Sequence, residues 1–330
     1  MFGRFVFLLV IMISFVNSGA IGEGLTPFTQ FNLYSRGNIG SVGAPYQGDI
    51  AGVGASDGSA WIGETSINGS GSNQMDFSFY CTGDLTIAGE INHSGLHVGA
   101  NLLILGATVN GDVIAGSHVS GNGGSVLGDI TAGGMVVMTS AYVSGAVNQY
   151  VPYLPPITWS YVDNFYITKA QQYREMPATG TPSVGSLIQI DATTLVNVVA
   201  LDASDLASAW SVTVTGDDGV AVIINVSGMD IDLANMDWQL SDGIERTNVL
   251  INCYEATSLD IENTTVVGNV LAPFAACDFS SGTIEGALWV GSLSGAGDVN
   301  EGFFSEPDES TKVMFEESWG AIKRLFGEVF

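Results

Sequence analysis

Apolar and polar positions alternate in short bursts along most of the chain, and glycine interrupts nearly every burst. Between residues 31 and 150 a Gly-Asp-apolar step recurs at Gly48-Asp49-Ile50, Gly83-Asp84-Leu85, Gly111-Asp112-Val113 and Gly128-Asp129-Ile130. Glycine takes positive φ freely and Asp bonds nearby backbone, so each step reads as a turn, with a short strand in the apolar residues behind it. Short strands between such turns predict coils stacked on one another. The steps are 35, 28 and 17 residues apart, which predicts an irregular β-solenoid with coils of unequal length. A β-sandwich or barrel with Gly-rich hairpins is the competing arrangement.

The pattern breaks after Pro152, Pro155 and Pro156. From Ile157 to Met176 glycine disappears, and Tyr161, Phe165, Ile167, Ala170 and Tyr173 fall near helical spacing. Pro177, Gly180 and Pro182 stop the run, so one inserted helix near 157–176 is expected to pack alongside the coils. Strand-like runs return at Val196–Leu201, Trp210–Thr215, Val220–Val226 and Val249–Cys253. Gly268-Asn269-Val270 and Gly286-Ala287-Leu288 echo the earlier steps, so one apolar interior can run through both blocks. Residues 305–330 form an acidic linker and then an amphipathic helix, with Phe315, Trp319, Ile322, Phe326 and Val329 in one stripe. That stripe suits capping, self-association or contact with a membrane surface.

Composition sharpens this picture. Of 330 residues, 46% are hydrophobic, 13% are charged and 43 are glycine; 8 basic against 34 acidic residues leave a net charge of −26. Nucleic acid needs clustered Lys and Arg, which are absent, so it is excluded as a partner. Arg4, the apolar run Phe5–Phe15 and the small residues through Ala20 read as a secretory signal peptide over residues 1–20. No run is long enough for a comfortable transmembrane span. In a secreted chain Cys253 and Cys277, in neighbouring strand-like segments, are the candidate disulfide, with Cys81 left over. Asn68, Asn92, Asn225 and Asn263 begin glycosylation sequons.

Catalytic motifs are missing. No Gly-x-Ser-x-Gly, Cys-x-x-Cys or His-Glu-x-x-His occurs, and Gly52-Val-Gly54 lacks the spacing of a dinucleotide loop. Carboxylates are plentiful, but only Arg36, Arg174 and Arg246 could stand by a developing charge, so a polysaccharide-cleaving enzyme is the weaker alternative. His93 and His97 could share a face and a metal. Calcium is the one cofactor the acidic turns could hold, at Asp217 and Asp218 or at Asp230 and Asp232. Ice binding needs a flat Thr-rich array, and Thr213-Val214-Thr215 is its clearest trace.

The elements Val220-Ala-Val-Ile-Ile-Asn-Val-Ser-Gly228, Asn248-Val-Leu-Ile-Asn252, Gly268-Asn-Val-Leu-Ala-Pro273 and Gly282 to Gly295, in that order, carry a resemblance. With Phe31–Ile39 near the start, they resemble the choice-of-anchor A domain, a collagen-binding-like domain of secreted surface adhesins. The resemblance runs over residues 28–300, within a domain bounded at 21–304. It implies an extracellular module without catalytic residues. The layout is also similar to ice-binding solenoids, in which a long helix lies along the coils. The function expected is therefore a structural or adhesive protein of an extracellular surface, coat, wall or matrix, with matrix or cell-surface components or itself as partner. An ice- or glycan-binding solenoid is the second expectation.

Overall fold

The computed structural model describes residues 26–69 and 77–307. The expected signal peptide over residues 1–20 and the stripe Phe315 to Val329 lie outside the described residues. Apart from the short helices α1 (Pro27–Gln30), α2 (Trp159–Glu175) and α3 (Ala203–Ser208) and a 3-10 turn, the regular structure is parallel β. The chain is mainly β, and its strands stack as a solenoid.

The coils have three faces. On the first, the strands lie in the order 147–148, 130–132, 112–115, 95–98, 79–81, 54–56, 33–35, 288–295, 269–279, 249–252, 221–227, 196–202. The first coil thus sits in the middle of the stack. From Leu33–Ser35 the chain winds outward to residue 148, returns through α2, restarts at the opposite end and winds back. It closes where Leu33 pairs with both Gly54 and Leu288. Isolated bridges from Ile39 to Ala60 and Leu293 make the second face continuous through the same junction. Bridges from Ile50 to Ile67 and Val299 do so for the third. One buried apolar cluster accordingly runs from Val126 and Ile130 in one block to Ile188 and Val212 in the other. The hairpin-rich alternative is excluded, because every strand ladder among the described residues is parallel.

Register explains the uneven spacing of the Gly-Asp steps. Phe79, Leu96, Val113, Ile130 and Val147 are successive partners, as are Leu85, Leu102, Val119 and Val136. Both columns advance by 17 residues per coil. The motif occurs at three corners of the coil, before the third face at Asp49, the second at Asp84 and the first at Asp112 and Asp129, and mixing the corners hides the period. Its chemistry also differs from a local turn. Asp49 Oδ1 accepts Ser66 N at 2.7 Å, Asp84 Oδ1 accepts Asn101 N at 2.9 Å, Asp112 Oδ1 accepts Asp129 N at 2.8 Å and Asp129 Oδ1 accepts Ala146 N at 2.7 Å. Each carboxylate bonds the backbone one coil onward, and so staples coils together. Neighbouring glycines let the coils close up: a Cβ on Gly116 would stand 2.0 Å from Gly99 O, and one on Gly133 2.1 Å from Gly116 O.

Helix α2 lies against the first face over a second apolar cluster. Its buried residues are Val162, Tyr166, Ala170 and Tyr173, one position away from the expected Tyr161 and Phe165. Aromatic residues occupy both candidate stripes. The small Val162 and Ala170 allow the closer approach, while Tyr161 is left exposed. Phe28 and Trp289 fill the space beneath, and the Trp289 indole donates to Phe31 O at 2.9 Å.

Among the described residues all three cysteines are free and buried. The expected Cys253–Cys277 disulfide is thereby corrected. Asn252 pairs with Leu271, so Cys253 follows at the level of Ala272, whereas Cys277 lies beyond a register break between Ala272 and Ala276. Burial pushes the Cys81 and Cys253 thiols up to about 12.

Candidate binding face

The third face presents its side chains in rows because parallel in-register strands repeat every ~4.8 Å. Ladder pairing aligns Asp237, Thr265, Thr283 and Asp298. The bridges of Ile50 to Val299 and Ile67 carry the row on through Asp49 to Ser66. Glu90, Thr108, Ser125 and Tyr142 complete it. Ten positions thus make one line roughly 40 Å long. A parallel row two residues further along each strand holds Glu285 and Asn300, then Asn68, Asn92 and Asn110. In it Asn300 Nδ2 donates to Glu285 Oε1 at 2.8 Å, Asn92 Nδ2 to Asn68 Oδ1 at 2.6 Å and Asn110 Nδ2 to Asn92 Oδ1 at 2.7 Å. These side chains are short and tied to one another, so the surface is polar and pre-ordered.

At one edge of this face an open groove of about 500 Å³ is lined by Trp210, Asn235, Asp237, Asn263 and Thr265. Trp210 is 61% exposed. Its carbonyl accepts Asp237 N at 3.0 Å, which places the ring at the start of the Asp237–Thr265 row. Asn263 Nδ2 donates to Asn235 Oδ1 at 2.9 Å, and both residues take positive φ at the corner. The groove therefore offers one aromatic surface beside amides, a carboxylate and a hydroxyl.

The other candidate residues separate. Asp217 and Asp218 occupy the turn between the third and first faces, and Asp230 and Asp232 stand past the next corner on the second. Asp232 aligns instead with Asp260 and Asp278. Burial raises the Asp260 carboxyl above its usual value, and the carboxylates of Asp232, Asp278 and Glu262 raise it further. No group of three or more acidic, His or Cys side chains among the described residues is arranged to hold a metal ion. His97 is buried against Phe77, Tyr80 and Tyr153, while His93 is exposed at a corner with φ 79°, so the two do not share a face. Asn225 is withdrawn as a glycosylation site. It is buried, and its Nδ2 donates to Tyr173 O at 2.7 Å beneath α2. Asn263 is exposed, and Asn68 and Asn92 are partly so.

The four basic residues within the described chain act in the scaffold. Arg36 Nε meets Asp163 of α2 at 3.2 Å, Lys169 of α2 pairs with Glu306, and Arg246 reaches Glu285 at 2.6 Å. Arg174 of α2 lies over the Tyr254 ring at 4.8 Å. Sequence reasoning found the cations but missed Trp210 and both polar rows. The 17-residue period was the signal that could have shown the rows, by aligning Thr108 with Ser125.

A parallel β-solenoid with ordered outward rows presents a long polar face. The sequence model of the "Putative Ice-binding-like adhesive domain" matches residues 24–301, and the chain belongs to that family. This replaces the choice-of-anchor A assignment and keeps its adhesive character. No curated protein matches. Among solved structures, an ice-binding protein from an Antarctic bacterium, Flavobacteriaceae, is similar at 14% identity, covering 84% of this chain and 82% of its own, with a TM-score of 0.33.

Proposed function

We propose that the protein is a secreted, non-catalytic adhesive module that holds a carbohydrate-rich extracellular surface through its third face. The observation that carries this reading is the Trp210 groove opening onto the Asp237–Thr265–Thr283 row. A sugar ring offers an apolar face to an indole and hydroxyls to amides and carboxylates, and this edge provides both. A repeating polymer could continue along the two rows, whose step is constant. The scaffold engagement of Arg36, Lys169, Arg174 and Arg246 supports binding without chemistry, because each is tied to a residue within the fold.

Pull-down of the purified mature chain on insoluble polysaccharides of differing linkage tests the reading. Retention on at least one polymer is expected, and Trp210→Ala should weaken it about tenfold. Equal retention of the two proteins would remove the groove from the account. Ice is the second reading, favoured by the family to which the chain belongs and by the adjacent Thr265 and Thr283. Asp237, Asp298, Asp49 and Glu90 interrupt that row with charge, so weak or no thermal hysteresis is expected. Strong hysteresis abolished by Thr283→Tyr would establish ice in place of glycan.

A further inference from the structure

We infer that the coil at residues 135–150 is a docking surface for a second copy of this chain, joined end to end through the open edges of the solenoid.

Strands 136–139, 142–143 and 147–148 close their three sheets at this end, each with a neighbour on one side only. Gly123 N donates to Thr139 O and Tyr142 N to Gly124 O, so these peptide groups face the stack. Alternate residues along each strand face away from it. The side chains show the same open side. In the column Leu96, Val113, Ile130, Val147, the first three are fully buried and Val147 is 44% exposed. Val143 and Val136 end two further columns in the same half-covered state. The coil carries the side chains of an internal coil, and among the described residues no further coil covers them. Natural edges are often blocked by Lys, Pro or a bulge or kept very short; no Lys, Pro or bulge occurs between Met135 and Tyr150, and Val136–Thr139 is the longest of the three edges. Among the described residues the chain lays no further strand over the opening, where Gln149 Oε1 accepts Val136 N at 2.8 Å. It leaves across the helix-bearing face, where Val151 N bonds Ala132 O and the Tyr153 hydroxyl meets His97 Nδ1.

Two observations select the same chain as the occupant. Residues 130–162 contain no Asp, Glu, Lys or Arg, in a protein of net charge −26. Two copies would repel across other surfaces, whereas the coil at this end adds no charge of its own, the adjacent Asp129 carboxylate being bonded to Ala146 N. The opposite end of the stack is already covered by its own chain. There Ser183 and Gln189 bond each other at both positions, and Thr179 N bonds Val198 O. Head-to-tail growth is therefore blocked, and a closed head-to-head pair about a two-fold axis remains. Such a pair would bring three edges against the same three edges.

Sedimentation equilibrium of the purified mature chain should give twice the chain mass at micromolar concentration. Val147→Glu places two like charges across the two-fold and should return the monomer, with the circular dichroism of the parent. Mixing Val147→Glu with Val147→Lys should restore a pair of double mass. A parent that stays monomeric at 100 µM overturns the proposal. So does a dimer that persists in Val147→Glu. A monomer that dimerises only after removal of residues 308–330 would assign the surface to the chain's own C-terminal segment instead, and would equally overturn it.

Discussion

A single aspartate does two things in this fold: it ends a turn in its own coil and holds the first amide of the next. Asp112 is the clearest case, since its Oδ1 takes Asp129 N at 2.8 Å in the most regular part of the stack. Removing the carboxylate leaves that amide to water at an exposed corner. A charge-assisted bond of this kind contributes on the order of 1 kcal/mol net. Asp112→Ala should therefore lower thermal stability by about 2–4 °C, and Asp112→Asn should recover most of it, as read by calorimetry. A second prediction concerns His97. Burial lowers its pKa to about 4, below the ordinary 6.5. The unfolded chain binds a proton at His97 first as pH falls, so stability is full above about pH 6.5 and declines toward pH 4. Asp57 and Asp260, whose carboxyls are raised chiefly by burial, act in the opposite direction. His97→Phe leaves both in place. Denaturant titrations of the two proteins at pH 7 and pH 4.5 should therefore show a smaller acid loss in His97→Phe. An unchanged loss would remove His97 as its source.

At the scale of elements, much was readable from the chain. Strand positions such as Val196–Asp202, Ala221–Ser227 and Val249–Asn252 follow β-branched runs closely, because a strand buried on both sides is apolar throughout. The helix was readable because no glycine stands between Gly145 and Gly180 and no proline between Pro156 and Pro177. Its buried stripe was not, because aromatic residues occur on both candidate faces and the choice depends on how closely Ala170 approaches the sheet. The period was hidden for a different reason. Gly-Asp works equally well at all three corners, so equal motifs were spaced unequally. The candidate face was hidden with it. Thr265 and Thr283 become a row only once their strands are known to pair, and Trp210 becomes a groove wall only beside Asp237. The cysteine pairing failed because sequence distance says nothing of the register break between Ala272 and Ala276.

For the whole molecule, the order of the coils makes an unusual prediction about where it opens. Stacked repeats generally fray from their ends, because each coil touches only its neighbours. Here the middle is closed by strands far apart in sequence, with Leu33, Tyr34 and Ser35 paired to Leu288, Trp289 and Val290. It is also clamped by Tyr34 to Asp163 of α2 at 2.7 Å and by Asn32 Nδ2 to Gly302 O at 2.5 Å. Opening that junction would break pairings on three faces and the helix contact at once, so it belongs to global unfolding. The two ends differ. The coil at 187–202 is pinned by residues 177–185, whereas among the described residues no strand covers the coil at 135–150 in a single copy. Amide hydrogen exchange should therefore be fastest at 136–148 in dilute protein, slower at 196–202 and slowest at 33–35 and 288–290. Raising the concentration should slow exchange selectively at 136–148, because a bound second copy would cover those amides and no others along the stack. Uniform exchange across the coils would mean that the stack opens as one unit and that the central closure confers no special protection.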